Sequence, residues 1–78
     1  MSQHYFSRFE YLDYLIRAKA TGPPRTLAKK MDVSLRTIFE YIEILRSLGA
    51  PIYFDKHKQT YCYEESGRFN FRFVPDSA

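Results

Sequence analysis

The sequence lacks most features of disulfide-linked, secreted or membrane proteins. It has no tryptophan and a single cysteine, Cys62, among its 78 residues, so an intramolecular disulfide is excluded and a reducing compartment is expected. No apolar run approaches the ~20 residues of a membrane span, and the polar, aromatic stretch MSQHYFSRFEYLDYL lacks the apolar segment of a signal peptide. We therefore expect a cytoplasmic protein without a membrane partner.

Arrangements that carry enzyme chemistry are missing as well. The two histidines, His4 and His57, have no Cys, Asp or Glu at metal-ligand spacing, which argues against a metal site. The sequence has no glycine-rich phosphate loop and no Ser-His-Asp arrangement, and the neighbouring acids Glu64 and Glu65 fall in a predicted turn. We expect neither catalysis nor a bound cofactor.

What the sequence does contain fits one small, slightly basic domain over residues 1–78. Hydrophobic residues make up 45% of it, and seven tyrosines and seven phenylalanines supply more aromatic surface than so small a core needs. This surplus predicts that some rings lie at an interface. The formal net charge is +3 and the isoelectric point is about 9.1, which is compatible with a polyanionic partner.

The stretch from Pro24 to Leu48 predicts two helices joined by a tight turn. Proline suits the first position of a short helix over 24–31. Ser34, at the end of the turn 32–34, is a good N-cap for the next helix, and Gly49 ends that helix. Apolar residues recur in it at spacings of three and four: Ile38, Tyr41, Ile42, Leu45 and Leu48. This is a helix-turn-helix pattern.

Elements on both sides complete the pattern. Residues from Phe6 to about Ala20 predict a first helix with one apolar face, which Gly22 and Pro23 interrupt. After Gly49, residues 52–54 and 60–63 are rich in aromatic and β-branched residues, which predicts a hairpin with a polar loop. Cys62, in the second strand, is expected to be a small buried apolar residue.

Residues 68–73 alternate polar and aromatic side chains, which predicts a third strand with one apolar face. Phe69, Phe71 and Phe73 either face the core, the commoner case, or form an edge that pairs with a second copy of the chain. The fold class is therefore α+β, mainly α: a winged helix-turn-helix of three helices followed by a two- or three-stranded antiparallel sheet. The helix-turn-helix covers about 24–48 and the wing hairpin about 52–63.

Many residues of the run TLAKKMDVSLRTIFEYIEILRSLGAPI match one known pattern. The matching residues are Leu27, Ala28, Val33, Ser34, Arg36, Thr37, Ile38, Ile42, Leu45, Gly49, Pro51 and Ile52. With them the chain resembles the N-terminal winged helix-turn-helix domain of DeoR-type and WYL-domain bacterial transcriptional regulators, and more distantly the DNA-binding domain of the biotin repressor. The resemblance implies binding of double-stranded DNA by the third helix and the wing. The chain departs from it at Glu40-Tyr41, where the family has Arg-Asp.

Helix-turn-helix geometry then indicates which residues would meet DNA. The candidates are Arg25, Lys29, Lys30, Ser34, Leu35, Arg36, Thr37, Phe39, Glu40, Lys56, His57 and Lys58. Arg36 could read guanine, which we favour over an arginine on a solvated surface. The lysines could bind phosphates, or they could equally be solvated surface. With Glu43, the groove-facing side of the third helix has one cation and two carboxylates, a poor electrostatic match to DNA.

Phe39 leaves two interpretations open, and so does the function. An aromatic ring there can touch a thymine methyl, or it can pack on another protein or under the wing, which we favour. A DNA-binding domain this small is expected to act as a homodimer on a palindromic site, paired through the aromatic C-terminal strand. The alternative is a protein-interaction module whose helix face docks a partner through Leu35, Phe39, Glu40 and Glu43.

Overall fold

The computed structural model describes residues 3–67 and 75–76. Within them the elements follow in the order α1 Gln3–Arg17, α2 Pro24–Met31, α3 Leu35–Ser47, β1 Ile52–Asp55 and β2 Thr60–Tyr63. The two strands pair antiparallel, with Ile52 opposite Tyr63 and Asp55 opposite Thr60. The predicted winged helix-turn-helix is therefore confirmed, and the predicted strand at 68–73 lies outside the described residues.

The first helix is displaced from its predicted bounds. It begins at Gln3 rather than Phe6 and ends at Arg17 rather than near Ala20. Lys19 adopts a left-handed backbone with a φ of 55°. The amides of Lys19 and Ala20 then donate to Ile16 and Leu15, at 3.1 and 2.9 Å. These two bonds form a Schellman cap, so the helix ends before the glycine and proline that the sequence pattern pointed to.

The core lies where the three helices and the wing meet. Ile38, Leu45 and Leu27 are fully buried, and Ala28 of α2 is buried with them. The remaining members come from all the elements: Leu12, Leu15, Ile16, Met31, Tyr41, Ile42, Ala50, Ile52 and Tyr61. Cys62 is also buried, as predicted. The apolar periodicity of the helices therefore identified most of the packed residues. It was wrong at Leu48, which is 62% exposed because the helix ends at Ser47.

The turn between α2 and α3 is stabilised by a hydrogen-bonded cap at each end. Asp32 takes the left-handed conformation, with a φ of 56°, and the Val33 amide donates to the Ala28 carbonyl at 3.0 Å. Aspartate tolerates this backbone better than most residues. Ser34 Oγ then accepts from the Thr37 amide at 3.1 Å, which caps α3 as predicted.

Two buried threonines attach the wing to the helices. Thr60 Oγ1 accepts from the Thr21 amide at 3.0 Å, and Thr21 Oγ1 accepts from the Tyr61 amide at 2.8 Å. Their hydroxyl oxygens lie 2.9 Å apart, and both residues are at most 2% exposed. The linker between α1 and α2 therefore supplies a hydrogen-bond acceptor for the Tyr61 amide, which lies on the outer edge of β2.

A buried carboxylate makes a second link between α1 and β2. Asp13 is only 3% exposed, and it accepts from Tyr63 Oη at 2.6 Å and from Arg17 Nε at 3.1 Å. Burial raises the pKa of the Tyr63 hydroxyl well above its usual value, and the hydrogen bond to Asp13 raises this pKa further. The neutral phenol is thus the form that the folded wing requires.

The first prediction concerns the threonine pair. Thr21→Val should lower the free energy of unfolding by about 1–3 kcal/mol, because the buried Tyr61 amide loses its acceptor. Urea denaturation measures the loss, and hydrogen exchange of the Tyr61 amide should speed up. Thr21→Ser keeps the hydroxyl and should restore the protection of that amide. Equal protection in Thr21→Val and the parent protein would contradict this account of the wing.

The second prediction concerns the carboxylate link. Tyr63→Phe should cost about 1–3 kcal/mol at pH 7, because Asp13 loses one of its two partners. Since the Tyr63 pKa is raised on folding, its contribution is complete below the usual tyrosine pKa of about 10 and is lost at higher pH. The parent protein should therefore lose more stability between pH 9 and 11 than Tyr63→Phe does.

Urea denaturation at each pH measures this difference. Tyr14→Phe is the matched control, because the Tyr14 ring is exposed and its variant should stay within about 0.5 kcal/mol of the parent. If Tyr63→Phe and the parent protein showed the same pH dependence, the proposed coupling would be wrong.

Candidate nucleic-acid interface

Helix α3 has one buried side and one exposed side. Ile38, Ile42 and Leu45 pack into the core, whereas Arg36, Phe39, Glu40 and Glu43 are exposed. The helical repeat of 3.6 residues produces this separation. An exposed α-helix side of this kind has the dimensions to enter a DNA major groove. We call the set Leu35, Arg36, Phe39, Glu40 and Glu43 the α3 face.

Tyr41, one of the two departures from the family pattern, does not belong to the α3 face. It is buried, and its ring lies 4.9 Å from that of Phe9, centroid to centroid. Its hydroxyl oxygen accepts from Arg8 Nη1 at 3.3 Å. This tyrosine therefore holds α1 against α3, so its effect on a ligand would be indirect.

Arg36 is the cation of the α3 face. Its side chain is 89% exposed, and its Nε lies 3.5 Å from Glu40 Oε2, one turn further along the helix. Exposed pairs of this kind contribute little to stability, so the guanidinium can leave Glu40 at small cost. Arg36 is not folded back onto the described part of the chain, and it remains accessible to a ligand.

Arg46 is a functional candidate that the sequence analysis missed. Its Nη1 donates to Glu43 Oε2 at 2.7 Å, and its Nε and Nη2 donate to the Ile52 carbonyl at 3.3 and 3.2 Å. Both carboxylates of the α3 face are therefore paired with arginines, two positive charges against two negative ones. The spacing of three between Glu43 and Arg46 was visible in the sequence, but the link to β1 was not.

Two apolar side chains lie among these charges. Phe39 is 48% exposed and Leu35 is half-buried. With Arg36, Glu40 and Glu43 they line a shallow, open depression. Phe39 lies outside the apolar core cluster, so much of its ring is available to a partner.

The polar start of α3 and the α2 cations have different roles. Ser34 and Thr37 bond to each other, with their hydroxyl oxygens 2.9 Å apart, so both hydroxyls are already used in the cap. Lys30 Nζ donates to the Ala20 carbonyl at 2.6 Å and ties α2 to the preceding linker. Arg25 and Lys29 are exposed on α2.

The tip of the wing presents three basic candidates on an ordered turn. Lys56, His57 and Lys58 are exposed between β1 and β2. Asp55 Oδ1 accepts from the Lys58 amide at 3.0 Å and from the His57 amide at 2.9 Å. The bond from Lys58, followed by that from His57, lowers the pKa of the Asp55 carboxyl. The turn is thus preformed before any ligand arrives.

The predicted candidates therefore fall on three elements. The α3 face follows directly on the Ser34 cap, α2 carries Arg25, Lys29 and Lys30, and the wing tip carries Lys56, His57 and Lys58. In the described part of the chain, no group of His, Cys, Asp and Glu is suited to hold a metal ion. None of the helices in this part combines the length and apolar character needed to cross a membrane.

Comparison with known families places these elements in context. Residues 8–61 match the model of a helix-turn-helix (HTH) domain family, a range that runs from α1 through α2, α3 and β1 to the start of β2. No curated protein and no solved structure matches the chain significantly.

The third prediction separates the two arginines of α3. Arg46→Met should lower the free energy of unfolding by about 1–2 kcal/mol, because the Ile52 carbonyl loses its donor and Glu43 its partner. Arg36→Met is the matched control and should cost less than about 0.5 kcal/mol, since its ion pair is exposed. Urea denaturation of both variants measures the difference. Equal losses would contradict a structural role for Arg46.

Proposed function

Because the chain belongs to this family of helix-turn-helix domains, which bind DNA, we propose that it is a transcriptional regulator that recognises double-stranded DNA. Helix α3 enters the major groove, and the wing contacts the backbone beside it. The observation that carries the proposal is the exposure of the α3 face within a matched helix-turn-helix. No cofactor and no catalytic step is part of this function.

The charge of the α3 face supports its entry into the groove. Two unpaired carboxylates would be repelled by the phosphates on both sides of a groove. Arg36 and Arg46 balance the charges of Glu40 and Glu43, so the net charge of this surface is zero and the repulsion is reduced. Arg36, near the start of α3, is the candidate for reading guanine through two hydrogen bonds.

Cations outside α3 supply the attraction to phosphates. Lys56 and Lys58 extend from a preformed wing turn, and Arg25 and Lys29 are exposed on α2. Contacts of this type orient a protein on the duplex without reading its sequence. Lys30 is a weaker candidate, because its Nζ already donates to the Ala20 carbonyl.

We propose further that the regulator acts as a homodimer on a palindromic site. A single domain of this size contacts one half-site and binds weakly, and a second copy multiplies the contacts. The aromatic stretch 68–73 is the proposed dimer strand, and it lies outside the described residues.

A protein-interaction module on the same scaffold is the second candidate. The observation that favours it is the number of large apolar side chains left exposed in the described residues: Tyr11, Tyr14, Phe39, Ile44, Leu48 and Tyr53. Four of these six side chains are aromatic, and aromatic residues are enriched at interfaces. A protein partner captured through Phe39, with DNA binding undetectable, would favour this candidate.

The fourth prediction tests DNA binding directly. Anisotropy of a labelled duplex, titrated with the 78-residue chain at several salt concentrations, should give log K falling linearly with log salt. Replacing Lys56 and Lys58 together by glutamine should reduce the slope by about 2, because each phosphate contact contributes about 1.

Two further variants make this test specific. Lys19→Gln removes one charge from the end of α1, outside the proposed contacts, and should leave the slope nearly unchanged. Arg36→Ala should weaken binding to a selected site more than to a random duplex. A salt-independent affinity, or a selected site bound equally well by Arg36→Ala, would count against the regulator.

A further inference from the structure

We propose that the Leu35–Phe39 depression on α3 reads the C5-methyl group of thymine in the major groove. The inference rests on the proposed DNA-binding function and deepens it, because it assigns a base to an apolar part of the α3 face. Thymine is the only standard DNA base that presents an apolar group in the major groove.

The geometry of α3 supports an apolar contact. Phe39 follows Leu35 by one helical turn, so the two side chains lie on the same side of the helix. Phe39 is 48% exposed, and the depression that the two residues line is open to the outside.

The charges around the depression favour a base over a second protein. Arg36 and Glu40 border it, one a hydrogen-bond donor and the other an acceptor, and their ion pair is exposed and loose at 3.5 Å. Base edges offer both donors and acceptors next to the thymine methyl. A purely apolar partner surface would bury this ion pair without hydrogen bonds to its remaining donors and acceptors, which is costly once water is excluded.

The size of the expected effect follows from the apolar area involved. Burying one methyl-sized group contributes about 0.8 kcal/mol, which corresponds to about fourfold in affinity at 1.4 kcal/mol per tenfold. Loss of a single methyl should therefore be measurable by anisotropy but should not abolish binding.

The experiment begins with selection of a preferred duplex from a random pool by the parent chain. Each thymine of that duplex is then replaced by deoxyuridine, which removes the methyl and keeps the Watson–Crick edge. At one or two positions the parent should lose about fourfold in affinity. In Phe39→Ala the same replacements should have no effect, and in Phe39→Leu the effect should be partly kept.

Ile44→Ala is the matched control. Ile44 is similarly exposed on the same helix but lies about 140° around it from Phe39, so this variant should keep the full deoxyuridine effect. Circular dichroism confirms that each variant is folded. Salt-dependent binding without any deoxyuridine effect, or an effect that persists in Phe39→Ala, would overturn the thymine assignment and leave the regulator intact. Absence of salt-dependent binding to every duplex would overturn both.

Discussion

Burial of one side of α3 is the constraint on which the rest of the structure depends. Ile38, Ile42 and Leu45 belong to the buried core cluster together with residues of α1, α2 and the wing, and a fully buried aliphatic side chain contributes about 1.5–3 kcal/mol. Because the helical repeat is fixed, burying these residues turns Arg36 and Phe39 outward. Core packing and presentation of the α3 face are thus two consequences of one set of contacts.

The wing depends on a different kind of interaction. A two-stranded hairpin is barely stable by itself, and here its outer edge is held by buried polar groups. The Thr60 hydroxyl oxygen accepts from the Thr21 amide, and the Thr21 hydroxyl oxygen accepts from the Tyr61 amide. The Asp13 carboxylate accepts from the Tyr63 hydroxyl. Arg46 adds a bond from α3 to the Ile52 carbonyl. These links give the wing a defined position relative to α3, as a ligand that touches both would require.

The charge balance of the α3 face is where the structure differs most from what the sequence suggested. From the sequence this surface has one cation and two carboxylates, which suggests repulsion from DNA. In the folded chain Arg46 pairs with Glu43 while also bonding to the Ile52 carbonyl. The same arginine therefore neutralises the surface and joins it to the wing. Tyr41, a departure from the family pattern that also fits the apolar repeat of the helix, is part of the core.

The sequence by itself determined the helix-turn-helix and the wing, because local rules act over a few residues: Pro24 starts α2, Ser34 caps α3, and apolar periodicity selects the buried faces. It also identified Arg36 as an exposed candidate. Only the tertiary structure paired Thr21 with Thr60 and Asp13 with Tyr63, residues 39 and 50 positions apart. No local pattern encodes such pairs, since a buried polar group is satisfied by whichever partner the packing brings within reach.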